Sequence, residues 1–202
     1  MFFPIMLRLA GRKCLVVGAG RVAAAKAAGL LRDGAEVVVV APKAVAWIRE
    51  KARAGKLVWR RRPFSSRDVK GVFLVVATTN SAATNGAVFR ACRIRAVLCN
   101  VVDDPERCDF IYPAVVHRGP LQIAISTAGN SPVLASRLRR ELERQFGPEW
   151  QPFVEHIGKL RRQLLRTDMP RQKKREQLTE IASQKAFQNF RRQRARAARR
   201  GK

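Results

Sequence analysis

A glycine-rich turn between an apolar run and a helical segment constrains the fold of this chain more than any other feature of its sequence. Residues 18–23 read Gly-Ala-Gly-Arg-Val-Ala, a G-x-G-x-x-A pattern that directly follows the apolar run at 13–18. The first glycine permits a tight turn, the second lets the backbone approach a pyrophosphate, and the alanine lets a helix pack closely on a strand. The pattern predicts a dinucleotide site, with phosphates on the free N–H groups of the helix. The alternative is a strand–helix turn that holds no ligand.

Apolar runs alternate with helical segments through the first half of the chain. The predicted strands are 13–18, 36–40, 57–60, 72–78 and 96–102, and the predicted helices are 22–31, 47–54 and 82–92. Strands that are apolar on both faces indicate a parallel sheet covered by helices on both sides. We therefore predict an α/β fold with a Rossmann-type parallel sheet, and we assign residues 1–112 to a nucleotide-binding domain.

The next stretch has a different pattern. Two apolar runs, 110–116 and 121–126, flank a Gly119-Pro120 turn and predict a hairpin outside the first sheet. Ser131-Pro132 then predicts the start of a helix that runs to about Phe146, because serine is a good N-cap and proline suits the first helical position. These elements define a small α+β region over residues 113–147.

Residues 148–202 are predicted to form a helical domain with a basic tail. One helix runs from Trp150 to a break at Met169-Pro170, and a single second helix carries the apolar positions from Leu178 to Phe190. Residues 191–202 are mostly basic and offer little apolar surface to offset the loss of chain entropy. We expect this end of the chain to be frayed or disordered.

The charge of the chain is extreme. It has 41 Lys and Arg against 15 Asp and Glu, a formal net charge of +26. Such a balance favours a polyanionic partner but does not choose among nucleic acid, acidic lipid and a polyanionic small molecule. No apolar run approaches the roughly 20 residues of a membrane-spanning helix, so we predict no membrane partner. The N-terminus does not have the pattern of an export signal. The four cysteines form no CxxC pair, so we predict a reduced cytoplasmic setting and no structural metal.

Residues that follow the predicted strands are candidate cofactor contacts, because ligands bind at the carboxyl ends of the strands in such sheets. Ala41-Pro42 follows the second strand, where an Asp or Glu usually binds the ribose. No carboxylate stands there and Lys43 would suit a 2′-phosphate, so this spacing leaves NAD and NADP open. Thr78-Thr79-Asn80 follows a later strand; it either lines the nicotinamide ribose or caps the next helix.

Two carboxylates follow the last predicted strand, 96–102. Asp103-Asp104 lies at the edge where a cofactor would bind and is a candidate for proton transfer. The alternative is turn chemistry, since Asp before Pro105 is common in turns.

Three runs together resemble a known family: GAGRVAAAKAAGLLRDGAEVVVVAP, the NVVD that precedes FIYPA, and S-T-x-G-x-S-P before a helix. Over residues 3–165 the chain resembles the precorrin-2 dehydrogenases, stand-alone relatives of the N-terminal module of siroheme synthase. The resemblance implies oxidation of the tetrapyrrole precorrin-2 to sirohydrochlorin with NAD. It also implies an interlocked homodimer in which 113–147 is the dimerisation region. Some members also insert ferrous iron, and the resemblance leaves this activity open.

The resemblance also assigns site residues. The aspartate of NVVD, the family's catalytic residue, matches Asp103, and Asp104 is the weaker candidate. The predicted cofactor contacts are Gly18, Ala19, Gly20, Arg21, Val22, Ala41, Pro42, Thr78, Thr79 and Asn80. The predicted substrate contacts are Asn100, Ser126, Thr127, Gly129 and Ser131. A tetrapyrrole with eight carboxylate arms is a polyanion, so part of the cationic excess would guide it to the site.

Two other classes of protein compete with this interpretation. A nucleic-acid-binding protein would explain the charge and the arginine-rich end. The sequence, however, has only one tyrosine and shows no stacking-aromatic motif or known nucleic-acid module, so we do not expect a nucleic-acid partner. A non-catalytic NAD-binding protein would share the glycine pattern but would not reduce its dinucleotide.

Overall fold

The computed structural model describes residues 2–200 of the chain, and the side chains of residues 2–197. The chain divides into two compact units, Met1–Tyr112 and Pro113–Lys202.

A parallel five-stranded sheet forms the centre of the first unit. Its strands are β1 (Lys13–Val17), β2 (Glu36–Val40), β3 (Val58–Arg60), β4 (Leu74–Ala77) and β5 (Leu98–Val101). The order across the sheet is β3-β2-β1-β4-β5. The helices are α1 (Arg21–Arg32), α2 (Ala46–Arg53) and α3 (Ala82–Ile94). The Rossmann-type sheet predicted from the sequence is confirmed.

Two apolar clusters, one on each face of the sheet, hold this unit together. One joins the sheet to buried residues of α1 and α2, and the other joins it to buried residues of α3. The strands are rich in valine, whose branched side chain packs well on a pleated surface that is covered on both faces. The register pairs Val17 with Val40 and with Ala77, and Ala77 with Val101. The residues after these four strands therefore lie along one edge of the sheet.

A short 3₁₀ helix, Ser66–Val69, follows β3 and was not predicted. It carries Asp68, a buried carboxylate whose Oδ1 accepts a hydrogen bond from Arg60 Nη1 at 2.7 Å. Its Oδ2 accepts one from Arg62 Nη1 at 2.8 Å and one from the Ser65 N–H at 2.9 Å. Burial disfavours the charged carboxylate, but the hydrogen bonds from these three residues outweigh it and hold the pKa of Asp68 at about 2.

Asp68 gives a testable pH dependence. A carboxyl with a lowered pKa stabilises the fold above its unfolded pKa, near 3.8, and that stabilisation is lost as the pH falls through about 2. The shift corresponds to about 2 kcal/mol for a side chain that is 1% exposed. We expect the free energy of unfolding to fall by this amount between pH 4 and pH 2, measured by urea denaturation. Asp68→Asn should lose the same amount at neutral pH and show a flatter profile below pH 4; equal slopes for both proteins would contradict this account.

The second unit begins with a two-stranded antiparallel sheet, β6 (Ala114–Arg118) and β7 (Leu121–Ile125), followed by α4 (Pro132–Gln145). The hairpin was predicted, but its first strand starts at Ala114 and not at Phe110. Pro113 has no N–H to donate to the ladder, which explains why pairing does not extend before it. Residues 110–112 instead belong to the first unit.

Three further helices complete the second unit: α5 (Trp150–Leu165), α6 (Arg171–Ile181) and α7 (Gln184–Arg200). The rings of Trp150, Phe153 and Phe187 lie within 6.0 Å of one another and form its aromatic core. The prediction of a single second helix is wrong, because α6 ends at Ile181 and a new helix begins at Gln184. The Ser183 hydroxyl accepts the Ala186 N–H at 3.1 Å and starts a new helix.

The expectation of a frayed or disordered end is also wrong for residues 191–200, which continue α7. A helix that is already started at Gln184 and anchored by Phe187 extends at little cost through arginine and alanine, which are among the best helix formers. The part of the expectation that concerns residues 201–202 lies outside the described residues. Among the residues described, none of these helices is both long and apolar enough to cross a membrane.

Candidate functional site

The turn after β1 depends on Gly18 for its shape. Gly18 has a φ of +103°, and a Cβ there would lie 2.6 Å from Thr78 Oγ1. Its N–H donates to the Val40 carbonyl at 2.9 Å. Only glycine satisfies both the backbone conformation and this close approach, so Gly18 is required by the fold itself.

Gly20 is different, because nothing in the described chain requires a glycine there. It is the N-cap of α1 with a φ of −82°, and a Cβ would meet no atom within 4 Å. No side chain caps the helix, and its first turn, which includes Arg21 and Val22, has no acidic residue. The N-terminus of α1 thus presents N–H groups and a positive dipole end to open space. This open cradle at Gly18–Val22 fits the pyrophosphate of a dinucleotide.

The threonines after β4 support the turn. Thr78 Oγ1 donates to the Val17 carbonyl at 3.0 Å and ties the ends of β1 and β4 together. Thr79 Oγ1 donates to Asn85 Oδ1 at 2.7 Å, and Asn85 Nδ2 donates back to the Thr79 carbonyl at 2.9 Å. These contacts favour the helix-capping alternative for Thr79. Asn80 is exposed at the same edge.

The end of β2 is also held by the fold. The buried Ala41 donates its N–H to the Arg60 carbonyl, and its own carbonyl accepts the Trp59 indole N–H at 2.9 Å. Pro42 and Lys43 follow and are exposed. Ala41 is therefore fixed at the edge where the adenosine ribose of a dinucleotide would lie.

The two aspartates after β5 have different surroundings. Asp103 is exposed and has a φ of +64°, a left-handed conformation that Asp and Asn adopt more readily than other residues with a side chain. Asp104 pairs with Arg107 at 3.4 Å and begins the 3₁₀ turn Pro105–Arg107. The structure thus gives Asp104 the turn role, whereas Asp103 extends from the loop at the same edge as Gly18.

Asn100 is buried, and its side-chain amide binds the chain itself. Its Nδ2 donates to the Phe110 carbonyl at 2.8 Å and approaches Cys108 Sγ at 3.3 Å. The Asp109 carboxylate accepts the Cys99 N–H at 2.9 Å. These contacts close the loop that carries Asp103, so they favour a positioning role for Asn100 over the predicted contact with substrate.

Two residues that the sequence reasoning missed, Lys26 and Tyr112, contact each other. Lys26, in α1, places its Nζ 3.6 Å from the centroid of the Tyr112 ring. Burial lowers the pKa of Lys26, and the charge of the Asp103 carboxylate offsets this in part. No local motif marks either residue; only the fold brings positions 26 and 112 together.

The predicted substrate loop lies in the second unit, between β7 and α4. Ala128 and Gly129 have φ values of +51° and +88°, and the Asn130 N–H donates to the Thr127 carbonyl at 2.9 Å. Each of three hydroxyls accepts a backbone N–H: Ser126 from Ala128, Thr127 from Ser131, and Ser131 from Leu134. Because these hydroxyls act as acceptors here, their protons remain able to donate to an anionic group.

Two family models match the chain. One, described as "Putative NAD(P)-binding", covers residues 5–114. The other, described as "Sirohaem biosynthesis protein central", covers residues 118–145. The first includes the α1 cradle and Asp103, and the second includes the hydroxyl-bearing loop.

Curated relatives agree with these matches. The chain is 41% identical over 160 residues to a siroheme synthase of Photorhabdus laumondii subsp. laumondii, covering 79% of this chain and 34% of that protein. It is 44% identical over 142 residues to a siroheme synthase of Nitrosococcus oceani, covering 70% and 30%. The chain spans about a third of the length of these relatives.

A solved structure resembles almost the whole chain. It is described as SirC, precorrin-2 dehydrogenase, and it superposes with a TM-score of 0.78 at 31% sequence identity. The match covers 95% of this chain and 98% of that one.

Proposed function

The chain belongs to the precorrin-2 dehydrogenase family, and we propose that it oxidises precorrin-2 to sirohydrochlorin with NAD, a step of siroheme biosynthesis. The observation that carries the proposal is the match to SirC over 98% of its length, because it includes both the cradle and the hydroxyl-bearing loop. A non-catalytic dinucleotide-binding protein would have no use for that loop or for Asp103.

The residues of the first unit have separate roles in cofactor binding and in proton transfer. A nicotinamide dinucleotide, when bound, would supply the acceptor for the hydride that leaves a reduced carbon of the tetrapyrrole. The N-terminus of α1, from Gly18 to Val22, would hold its pyrophosphate, with Ala41-Pro42 and Thr78-Thr79-Asn80 along the same edge. Asp103 takes the proton that the substrate releases with the hydride, as a general base within hydrogen-bond reach. Asn100 keeps the loop of Asp103 in place.

The loop of the second unit binds the substrate. Ser126, Thr127 and Ser131 have hydroxyl protons to donate, and the backbone at Gly129 lets the loop turn tightly between them. The eight carboxylates of the tetrapyrrole are the acceptors that such donors suit.

We also propose that the protein works as a homodimer. The sheet of β6 and β7 has only two strands in the described chain, and each has an unpaired edge. Such a small sheet is marginal alone and gains from pairing with further strands. A second copy of the chain would supply them; the molar mass in solution, measured by light scattering, tests this.

The preference for NAD over NADP rests on the family resemblance, which implies NAD. Two arginines beside the end of β2, Arg60 and Arg62, bind Asp68 and are not free for a 2′-phosphate. Lys43, exposed beside Ala41-Pro42, is a cation that a 2′-phosphate would meet at this edge. We expect kcat/KM for NAD to exceed that for NADP by at least about 10-fold, since a charge-assisted hydrogen bond is worth about 1.5–3 kcal/mol. The measurement is the initial rate of absorbance at 340 nm with precorrin-2 and each dinucleotide; a preference for NADP would contradict the assignment.

A further inference from the structure

Lys26 lies in the second turn of α1, the helix whose N-terminus forms the cradle. Side chains of a helix lean toward its N-terminus. A lysine at this position of α1 therefore leans toward the end of the helix that carries Gly20.

The Lys26 ammonium contacts an aromatic ring and interacts electrostatically with Asp103. Its Nζ lies 3.6 Å from the centroid of the Tyr112 ring, within the range of a cation–π interaction. Burial lowers the pKa of Lys26, and the Asp103 carboxylate raises it in part. Lys26 is thus a half-buried cation that lies over the Tyr112 ring and interacts electrostatically with the proposed general base.

No anion binds this cation in the described chain. Among the described side chains, none forms a hydrogen bond or an ion pair with Lys26 Nζ. Arg107, by contrast, pairs with Asp104. A partly buried charge that forms no ion pair is costly, and Lys26 still has its ammonium protons to donate.

We propose that Lys26 is a substrate-binding residue, whose ammonium takes a peripheral carboxylate of the tetrapyrrole and sets the ring against Asp103. This inference rests on the proposed function and adds a specific contact to it. A carboxylate is the acceptor that a lysine ammonium prefers, and precorrin-2 and sirohydrochlorin carry eight of them.

The Tyr112 ring under the Lys26 ammonium is held in place by further contacts. The Tyr112 ring packs edge-on against Phe110, with centroids 5.6 Å apart. The Phe110 carbonyl accepts the Asn100 amide at 2.8 Å. A chain of contacts from Asn100 through Phe110 and Tyr112 thus sets the position of the Lys26 ammonium.

The test measures binding of sirohydrochlorin by quenching of tryptophan fluorescence, with no dinucleotide present and no turnover. Lys26→Met should weaken binding by about 10- to 100-fold, the value of one charge-assisted hydrogen bond. Lys26→Arg should keep most of the affinity, because guanidinium also stacks on aromatic rings and binds carboxylates. Lys51→Met is the matched control: Lys51 also lies over an aromatic ring, at 5.7 Å from Trp47, but on α2. It should bind sirohydrochlorin as the wild type does.

Tyr112 provides a second pair of variants. Tyr112→Phe keeps the ring under the ammonium and should bind sirohydrochlorin normally, whereas Tyr112→Leu should weaken binding in the direction of Lys26→Met. Dinucleotide affinity and the melting temperature, measured on every variant, should stay at wild-type values. They show that the cradle and the fold are intact.

The outcomes separate this inference from the proposed function. If the wild type oxidises precorrin-2 and Lys26→Met binds sirohydrochlorin as tightly as the wild type, the inference is overturned and the function stands. A lower kcat with unchanged binding of sirohydrochlorin also overturns it, because Lys26 would then act only through Asp103. If the wild type neither oxidises precorrin-2 nor binds sirohydrochlorin, both fail.

Discussion

Gly20→Asp is expected to abolish dinucleotide binding while the melting temperature stays unchanged or rises. Aspartate is among the preferred N-cap residues, and Gly20 is an N-cap with a φ that any residue can adopt. Its side chain would enter space that is open in the described chain. The same carboxylate would place a negative charge where the pyrophosphate binds. We expect the dissociation constant for NAD, measured by calorimetry, to rise by about 100-fold or more, the value of two or more lost charge-assisted hydrogen bonds.

Two other glycines serve as controls. Gly29→Ala lies in the same helix, where a Cβ also meets nothing within 4 Å, and should leave NAD affinity unchanged. Gly18→Ala should instead destabilise the fold, because of its φ of +103° and the approach of Thr78. Unchanged NAD affinity in Gly20→Asp would show that the phosphates bind elsewhere.

Asp103→Asn is expected to lower kcat for precorrin-2 oxidation by about 10²–10⁴-fold, the usual value of a general base. Asparagine is the informative replacement, since it keeps the size of the side chain and also adopts the left-handed conformation found at φ +64°. Alanine would add backbone strain of about 1–2 kcal/mol to the loss of the base. Dinucleotide affinity should not change, because Asp103 acts on the substrate.

Asp104→Asn is the matched control for this prediction. Asp104 is committed to Arg107 and the 3₁₀ turn, so its loss should cost less than about 1 kcal/mol of stability and little activity. If Asp104→Asn is the inactive variant, the roles of the two neighbours are reversed. If both variants remain active, the proton passes to water or to a carboxylate of the substrate.

The sequence was sufficient to predict the sheet of the first unit, because valine runs and the glycine turn are local signals. The strand at 36–40 was predicted with its observed bounds, and the others were within a few residues. The C-terminal helices were harder to predict. The break at Ser183 depends on a hydroxyl that caps a new helix, and such a serine gives no stronger signal than others on a polar helix.

The candidate site was predictable where a motif carries it. Gly20 and Asp103 follow strands, and the rule that ligands bind at strand ends was enough to select them. The side-chain hydrogen bonds of Asn100 and Thr79 within the protein could not be predicted, because their partners become neighbours only after folding. Lys26 and Tyr112 were missed for the same reason: they are far apart in sequence, and each alone reads as an ordinary surface residue.

The most direct test of the proposed dehydrogenase is a single-turnover reaction without oxygen, with enzyme in excess over precorrin-2 and with saturating NAD. The account predicts one NADH and one sirohydrochlorin per precorrin-2 consumed, followed together by their absorbance, and neither product with Asp103→Asn on the same timescale. Sirohydrochlorin that forms without NADH, or no reaction from folded protein that binds NAD, would contradict the central claim.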